Sequence, residues 1–274
     1  MRPTESKILR NILAGMFAAT FCATISAQAP LNPNDVKDHR TEPEVFFLQE
    51  GDCPNSLTIL PGPPDGGSIL FLYDQARYNW GKLQRKTARG EQAAQDARVT
   101  GDGLPKAYSE AFGVEINEEN APEILKLIVG MREDAGDLGT REAKRYYDRT
   151  RPFIFYEEDT CNPEQQQELS TNGSYPSGHS SLGWATALVL AEINPERQNE
   201  ILKRGYEMGE SRVICGYHFQ SDVDAGRITG AMTVARLHAD PGFTKQLAKA
   251  KAEFKQLKKE GKVTPGTPTP TPTL

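Results

Sequence analysis

Apolar residues first cluster between Ile12 and Ile25, behind Arg2, Lys7 and Arg10 and ahead of the small pair Ser26-Ala27. A basic lead, a short apolar stretch and a small-residue end form the pattern of a signal peptide. Residues 1–27 are expected to be one, cut after Ala27. No later segment approaches the length of a bilayer-spanning run, so the processed chain is expected to be periplasmic or secreted, with no membrane association. Residues 28–44 are polar with prolines and read as an N-terminal arm. After two short apolar pieces, 45–48 and 57–60, and a Pro/Gly-rich stretch, Leu70, Leu72, Tyr73, Ala76 and Trp80 recur at helical spacing.

Asn120-Ala121-Pro122-Glu123 reads as a helix start with Asn120 as the cap, and Ile124, Leu125, Ile128 and Met131 follow on one face. That helix leads, through a break near Gly139-Thr140, to Lys144. Ser181 to Ile193 is almost wholly apolar and predicts a buried core helix. Asn194-Pro195 opens the next helix, which runs to about Gly209. Phe219 to His238 predicts another, with Gly226 and Gly230 allowing a neighbour to come close. Lys245 to Lys259 places Leu247, Phe254 and Leu257 on one side and a solvated lysine face on the other. Residues 263–274 form a Pro/Thr-rich tail expected to be extended and disordered. Strand signals are weak, so the predicted fold is all-α, a single helical domain over 45–262.

Charge narrows the list of partners. The chain has 32 basic and 37 acidic residues, a net charge of −5. Loss of residues 1–27 removes three basic residues and one acidic one and takes the net charge to −7. Such a chain is a poor binder of nucleic acid or anionic membranes, and any anion it handles must be drawn by a local cluster. Cys53, Cys161 and Cys215 remain after processing, enough for one disulfide and one free thiol. The spacing leaves all three pairings open. No short Cys-x-x-Cys or Cys-x-x-His pair is present, and no metal or other cofactor is expected.

Three runs supply such a cluster. In KRYYDRTRP, Lys144 and Arg151 lie seven apart, so they could share one helix face, with Pro152 ending the helix at Arg151. Lysine offers a compact charge and arginine a planar fork to a phosphate. Pro176-Ser177-Gly178-His179 stands at the start of the apolar helix, where unpaired N–H groups favour an anion. There Ser177 can cap the helix or donate to an oxygen, and Gly178 lets the backbone approach a ligand. In SRVICGYHFQSD, Arg212 adds a guanidinium, and His218 and Asp222 are spaced i, i+4. If helix begins near His218, the carboxylate can hold one ring nitrogen while the other faces the substrate. His39 and His238 have no such company and are read as non-catalytic.

Each run alone has an ordinary structural explanation, but their joint occurrence fits phosphoryl transfer. That reaction needs stabilised charge on the equatorial oxygens, an in-line nucleophile and a proton for the leaving oxygen. Lys144, Arg151, Arg212, Ser177 and Gly178 meet the first need, and His218 and His179 the other two.

The three runs together resemble the signature of the type 2 phosphatidic acid phosphatase and vanadium haloperoxidase superfamily. The longer stretches GDLGTREAKRYYDRTRPF, NGSYPSGHSSLGWATALVLAEINP and ESRVICGYHFQSDVDAGR are similar to the class A bacterial non-specific acid phosphatases. The likeness spans about Leu70 to Lys259, and Phe219 stands where many members carry Trp. It implies a helical bundle with the site between helices, and a phosphohistidine on His218 oriented by Asp222. His179 would be the acid, with phosphate bound by Lys144, Arg151, Ser177, Gly178 and Arg212 without metal. It further implies small phosphomonoester substrates, a homodimer or larger homo-oligomer, and a Cys161–Cys215 disulfide. Other readings are a vanadium-dependent haloperoxidase, a lipid phosphate phosphatase (disfavoured by the missing spans) and a non-catalytic periplasmic phosphate- or nucleotide-binding protein, which would not need both histidines and Asp222. Because His179 must be protonated and has cationic neighbours, activity is expected to favour mildly acidic pH.

Overall fold

The computed structural model describes residues 46–266. The expected signal peptide, the expected N-terminal arm and the last eight residues of the Pro/Thr-rich tail lie outside them. Among the described residues every regular element is helical, which is the all-α class. In chain order these are α1 (Ser56–Ile59), α2 (Ile69–Gln84), α3 (Ala88–Gln95), α4 (Gly103–Phe112) and α5 (Pro122–Glu133). A π-helical turn (Asp134–Leu138) leads from α5 to α6 (Arg141–Tyr147) and α7 (Pro152–Phe155). After α8 (Gln166–Leu169) come the long helices α9 (Gly178–Ile193), α10 (Gln198–Ile214), α11 (Gln220–Leu237) and α12 (Pro241–Lys259).

The apolar run predicted to be a core helix is α9, and α10, α11 and α5 pack around it. Gly226 and Gly230 meet it as expected. A Cβ on them would sit 2.5 Å from the carbonyl of Ser177 and 2.4 Å from that of Ser181, so any side chain there would push α11 off the helix that carries His179. Helix α12 closes the other side through Phe243, Leu247, Phe254 and Leu257, all buried. Each contributes roughly 1.5–3 kcal/mol by leaving water. Its lysines face outward, and Lys251 and Lys258 pair with Glu192 and Glu196.

Helix α2 departs from its predicted face. Leu70, Leu72 and Tyr73 are exposed, whereas Phe71, Asp74, Tyr78 and Gly81 form the buried stripe. Gly81 explains the choice: a Cβ there would stand 2.8 Å from the Val213 carbonyl, so this stripe is where α10 comes closest. The start of α5 also differs. Its cap position is Ala121, and the carboxylate of Glu253 on α12 takes the N–H groups of Glu123 and Ile124. A distant side chain thus performs the capping expected of Asn120.

Two features tie the ends of the fold to its centre. Asp134, in the π-helical turn, accepts the backbone N–H groups of Phe47 and Leu48, and burial pushes its carboxyl up to about 6. At the other end, Val263 packs on the core, Thr264 N donates to the Gly113 carbonyl and Arg197 to that of Pro265. The first residues of the tail are therefore held against α4 and the start of α10. Cys161 and Cys215 are joined, with Cα atoms 4.7 Å apart, leaving Cys53 as the free thiol. Closing a loop with a separation of 54 residues restricts the unfolded chain by about 4 kcal/mol on the entropic account. The bridge also fixes the turn after α10 that carries His218.

Candidate active site

The three runs converge on one cavity of about 400 Å³, lined by Lys144, Arg151, Gly178, His179 and His218. Ser177, Arg212 and Asp222 stand behind that lining, fully buried. Lys144 and Arg151 do not share a helix. Helix α6 stops at Tyr147, Asp148 turns the chain with a φ of 36°, and Arg151 caps the separate helix α7. The segment 172–176 draws the two cations together instead. Lys144 Nζ donates to the carbonyls of Gly173 at 3.0 Å and Pro176 at 2.8 Å. Arg151 donates to the carbonyls of Asn172 and Tyr217 at 3.1 Å and of Gly173 at 3.3 Å. Burial, then the charge of Arg151, lowers the Lys144 amine to about 7. Burial, then Arg212, lowers Arg151 to about 9.

Helix α9 begins at Gly178, capped by the Ser177 hydroxyl, which accepts the Ser180 N–H at 3.3 Å. The glycine has a structural cause besides any ligand: a Cβ would lie 2.7 Å from the Gly136 carbonyl of the π-helical turn. His179 Nε2 lies 3.2 Å from the Ala97 carbonyl. A carbonyl only accepts, so that nitrogen holds a proton and Nδ1 is the exchangeable one. Burial, and next the charge of Arg212, pushes this imidazole well below its usual range.

Arg212 is fully buried and stacks over Tyr217 at 4.0 Å, yet none of its three side-chain nitrogens has a hydrogen-bond partner among the described residues. Burial lowers it to about 10. An unpaired buried guanidinium is costly in isolation and suited to an anion that reaches it.

The His218–Asp222 pair differs from a helical i, i+4 contact. Helix α11 starts only at Gln220, and His218 Nδ1 stands 3.7 Å from Asp222 Oδ2, outside hydrogen-bond range. Asp222 Oδ2 instead accepts the Phe219 N–H at 2.8 Å and the Ser174 hydroxyl at 2.6 Å, and Oδ1 accepts from Arg149 at 2.5 Å. Burial alone would raise this carboxyl, but Arg149, His218 and Ser174 hold it well below the usual carboxylate range. His218 is itself lowered, by burial first and Arg151 second.

Arg149, Asp74 and Ser174 were not singled out by the sequence reading. Arg149 joins Asp222 to Asp74 of α2, lies over the Phe219 ring at 4.3 Å and donates to Ser221. Asp74 also accepts the N–H and hydroxyl of Ser221. One signal was present: an aspartate inside the apolar stretch ILFLYDQ needs a buried partner if that face is packed.

The geometry agrees with comparisons to known proteins. Residues 127–244 match the family model described as the PAP2 superfamily. A non-specific acid phosphatase of Providencia stuartii is 56% identical over 251 residues, covering 92% of this chain and all of that protein. The chain belongs to the PAP2 superfamily and, within it, to the bacterial non-specific acid phosphatases. A non-specific acid phosphatase of Salmonella typhimurium is 44% identical over 208 residues, 76% of this chain and 83% of that protein. An acid phosphatase of Zymomonas mobilis is 31% identical over 248 residues, 90% and 89% of the two chains. The superfamily match takes in all three runs, from Lys144 to Asp222. Among the described residues no helix is long and apolar enough to cross a membrane.

Proposed function

We propose that this acid phosphatase is exported and hydrolyses a broad range of phosphate monoesters, nucleotides and small organic phosphates among them, through a phosphohistidine on His218. The observation that carries this reading is Arg212. Its fully buried, unbonded guanidinium bears on Lys144, Arg151 and His179, so an anion placed among them meets three cations and an acid. The equatorial oxygens are held by those cations, the Gly178 amide and the Ser177 hydroxyl. Nε2 of His218 attacks phosphorus in line. The P–O bond to the leaving group breaks, its electron pair goes to the leaving oxygen, and His179 Nδ1–H protonates it. Water then gives a proton to His179 and attacks phosphorus, the P–N bond breaks back to Nε2, and orthophosphate departs. An alcohol in place of water would give phosphotransfer.

The breadth of substrate is supported by the mixed lining of the cavity, in which the apolar Val99, Leu169 and Leu182 occur together with the polar Arg98, Gln165 and Asn172. This lining offers contact without a single demanding partner. Export follows from the N-terminal pattern, and sequencing of the secreted chain should begin at Gln28. A homodimer or larger assembly belongs to the same reading and is checked by sedimentation. The functional test is turnover of a chromogenic phosphomonoester with and without chelator. Chelator-resistant, vanadate-inhibited turnover that vanishes in His218→Ala supports the reading. Loss of turnover with chelator, or halide oxidation on adding vanadate as the main activity, contradicts it.

A further inference from the structure

Around His218 the direction of every hydrogen bond follows from which groups can donate. Arg151 Nη1 lies 3.1 Å from His218 Nε2, and a guanidinium has only donors, so Nε2 accepts. The neutral ring then carries its proton on Nδ1. Nδ1 lies 3.2 Å from the Ser174 hydroxyl, which lies 2.6 Å from Asp222 Oδ2. An ionised carboxylate only accepts, so the hydroxyl gives its proton to Asp222 and takes the Nδ1–H on its lone pair.

We propose that Ser174 is a positioning residue, its hydroxyl coupling Asp222 to His218, holding the Nδ1–H tautomer and so keeping Nε2 unprotonated for attack on phosphorus. This rests on His218 as the nucleophile. The carboxylate is not placed to replace the serine. Phe219 N and the hydroxyl engage Oδ2, Arg149 engages Oδ1, and Asp74 on α2 anchors that arginine in turn. Ser174 is equally fixed. It is fully buried, and its own N–H donates to the Arg149 carbonyl at 2.7 Å. The serine and the arginine that hold the two sides of Asp222 are therefore tied to each other through the backbone. The unit that orients the nucleophile is a histidine–serine–aspartate relay, and Arg149 and Asp74 keep it from collapsing into a direct pair.

The test joins kinetics to a direct view of the ring. In the wild type, ring-labelled nitrogen resonances of His218 should show a single Nδ1–H tautomer. Ser174→Ala should lower kcat by about 10- to 100-fold, the range seen when a partner behind a metal-bound histidine is lost. KM and inhibition by orthophosphate should change by less than about twofold, because the hydroxyl touches no phosphate-binding group. The variant's His218 should show mixed tautomers. A wild-type proton on Nε2 overturns the proposal even if the variant does not fold. Wild-type kcat in Ser174→Ala, or loss of orthophosphate binding in step with kcat, also overturns it. His218→Ala separates the two layers. Full turnover there removes the nucleophile itself, whereas an inactive His218→Ala beside a fully active Ser174→Ala removes only the serine.

Discussion

Two arginines largely shielded from water, Arg149 and the fully buried Arg212, flank this site and are treated in opposite ways. Arg149 is satisfied by Asp74, Asp222 and Ser221, and those carboxylates more than offset the cost of its burial, so its charge is held firmly. Arg212 is buried more deeply still, has no hydrogen-bond partner among the described residues, and is lowered to about 10. One arginine belongs to the protein's internal order. The other, on the proposed function, is available to an arriving anion. A buried cation in a fold therefore says little until its partners are counted, because full pairing marks scaffold and missing pairing marks a place for ligand.

Substitution at the two arginines separates those roles, and Arg149 should give the larger loss of stability. Arg149→Met leaves Asp74 and Asp222 buried without their counter-charge, a change of about 3–5 kcal/mol for a buried pair broken on one side. Chemical denaturation should show it, with turnover falling as Asp222 loses its anchor. Arg212→Met removes a charge that has no partner, so the melting temperature should hold or rise. Its orthophosphate and vanadate affinities should fall about 10- to 150-fold, the equivalent of the 1.5–3 kcal/mol of hydrogen bonds to a charged group. Equal destabilisation by the two substitutions would erase the distinction between them.

Acidity sharpens the same contrast. His179 and His218 are both depressed, so the folded state binds fewer protons than the unfolded chain below the ordinary histidine value of about 6.5. The stability this contributes is present above that value and lost as pH falls from it toward the folded values. The melting temperature of the ligand-free protein should drop between about pH 7 and 5, and saturating phosphate should reduce the drop. The rate should favour mildly acidic pH, because His179 must be charged to donate. An optimum above about 8 contradicts that role. The smallest effect is at Lys144, lowered to about 7. Sulfate, which does not titrate in this range, should inhibit progressively less as pH rises through about 7, approaching tenfold per unit if one proton is taken up with it.

Much of the scaffold could be read from periodicity, because apolar patterns report burial directly. The core helix α9 and the lysine-backed face of α12 both follow from spacing alone. Helix α2 shows where that logic fails: its stripe is set by Gly81 meeting the Val213 carbonyl and by an aspartate with a distant arginine, neither of which is an apolar signal. Every residue nominated for the site lies in or directly behind one cavity, but two local geometries differ from the reading. Asp148 breaks the helix between Lys144 and Arg151, and α11 begins only after Phe219, with Asp222 at 3.7 Å from His218 and the Ser174 hydroxyl within hydrogen-bond reach of both. Ser174 carries no local signal, because a serine in a Gly/Pro-rich run reads as turn chemistry. Its role depends on a partner 48 positions away, which local spacing does not express.

The central claim, that the clustered cations hold a phosphoryl group against His218, is tested most directly by trapping the intermediate. A labelled phosphomonoester mixed with the protein and quenched in alkali within a turnover should leave base-stable, acid-labile phosphate. Peptide mapping should place it on His218, and it should be absent from His218→Ala. Label on Ser177, or undiminished label in His218→Ala, contradicts the account.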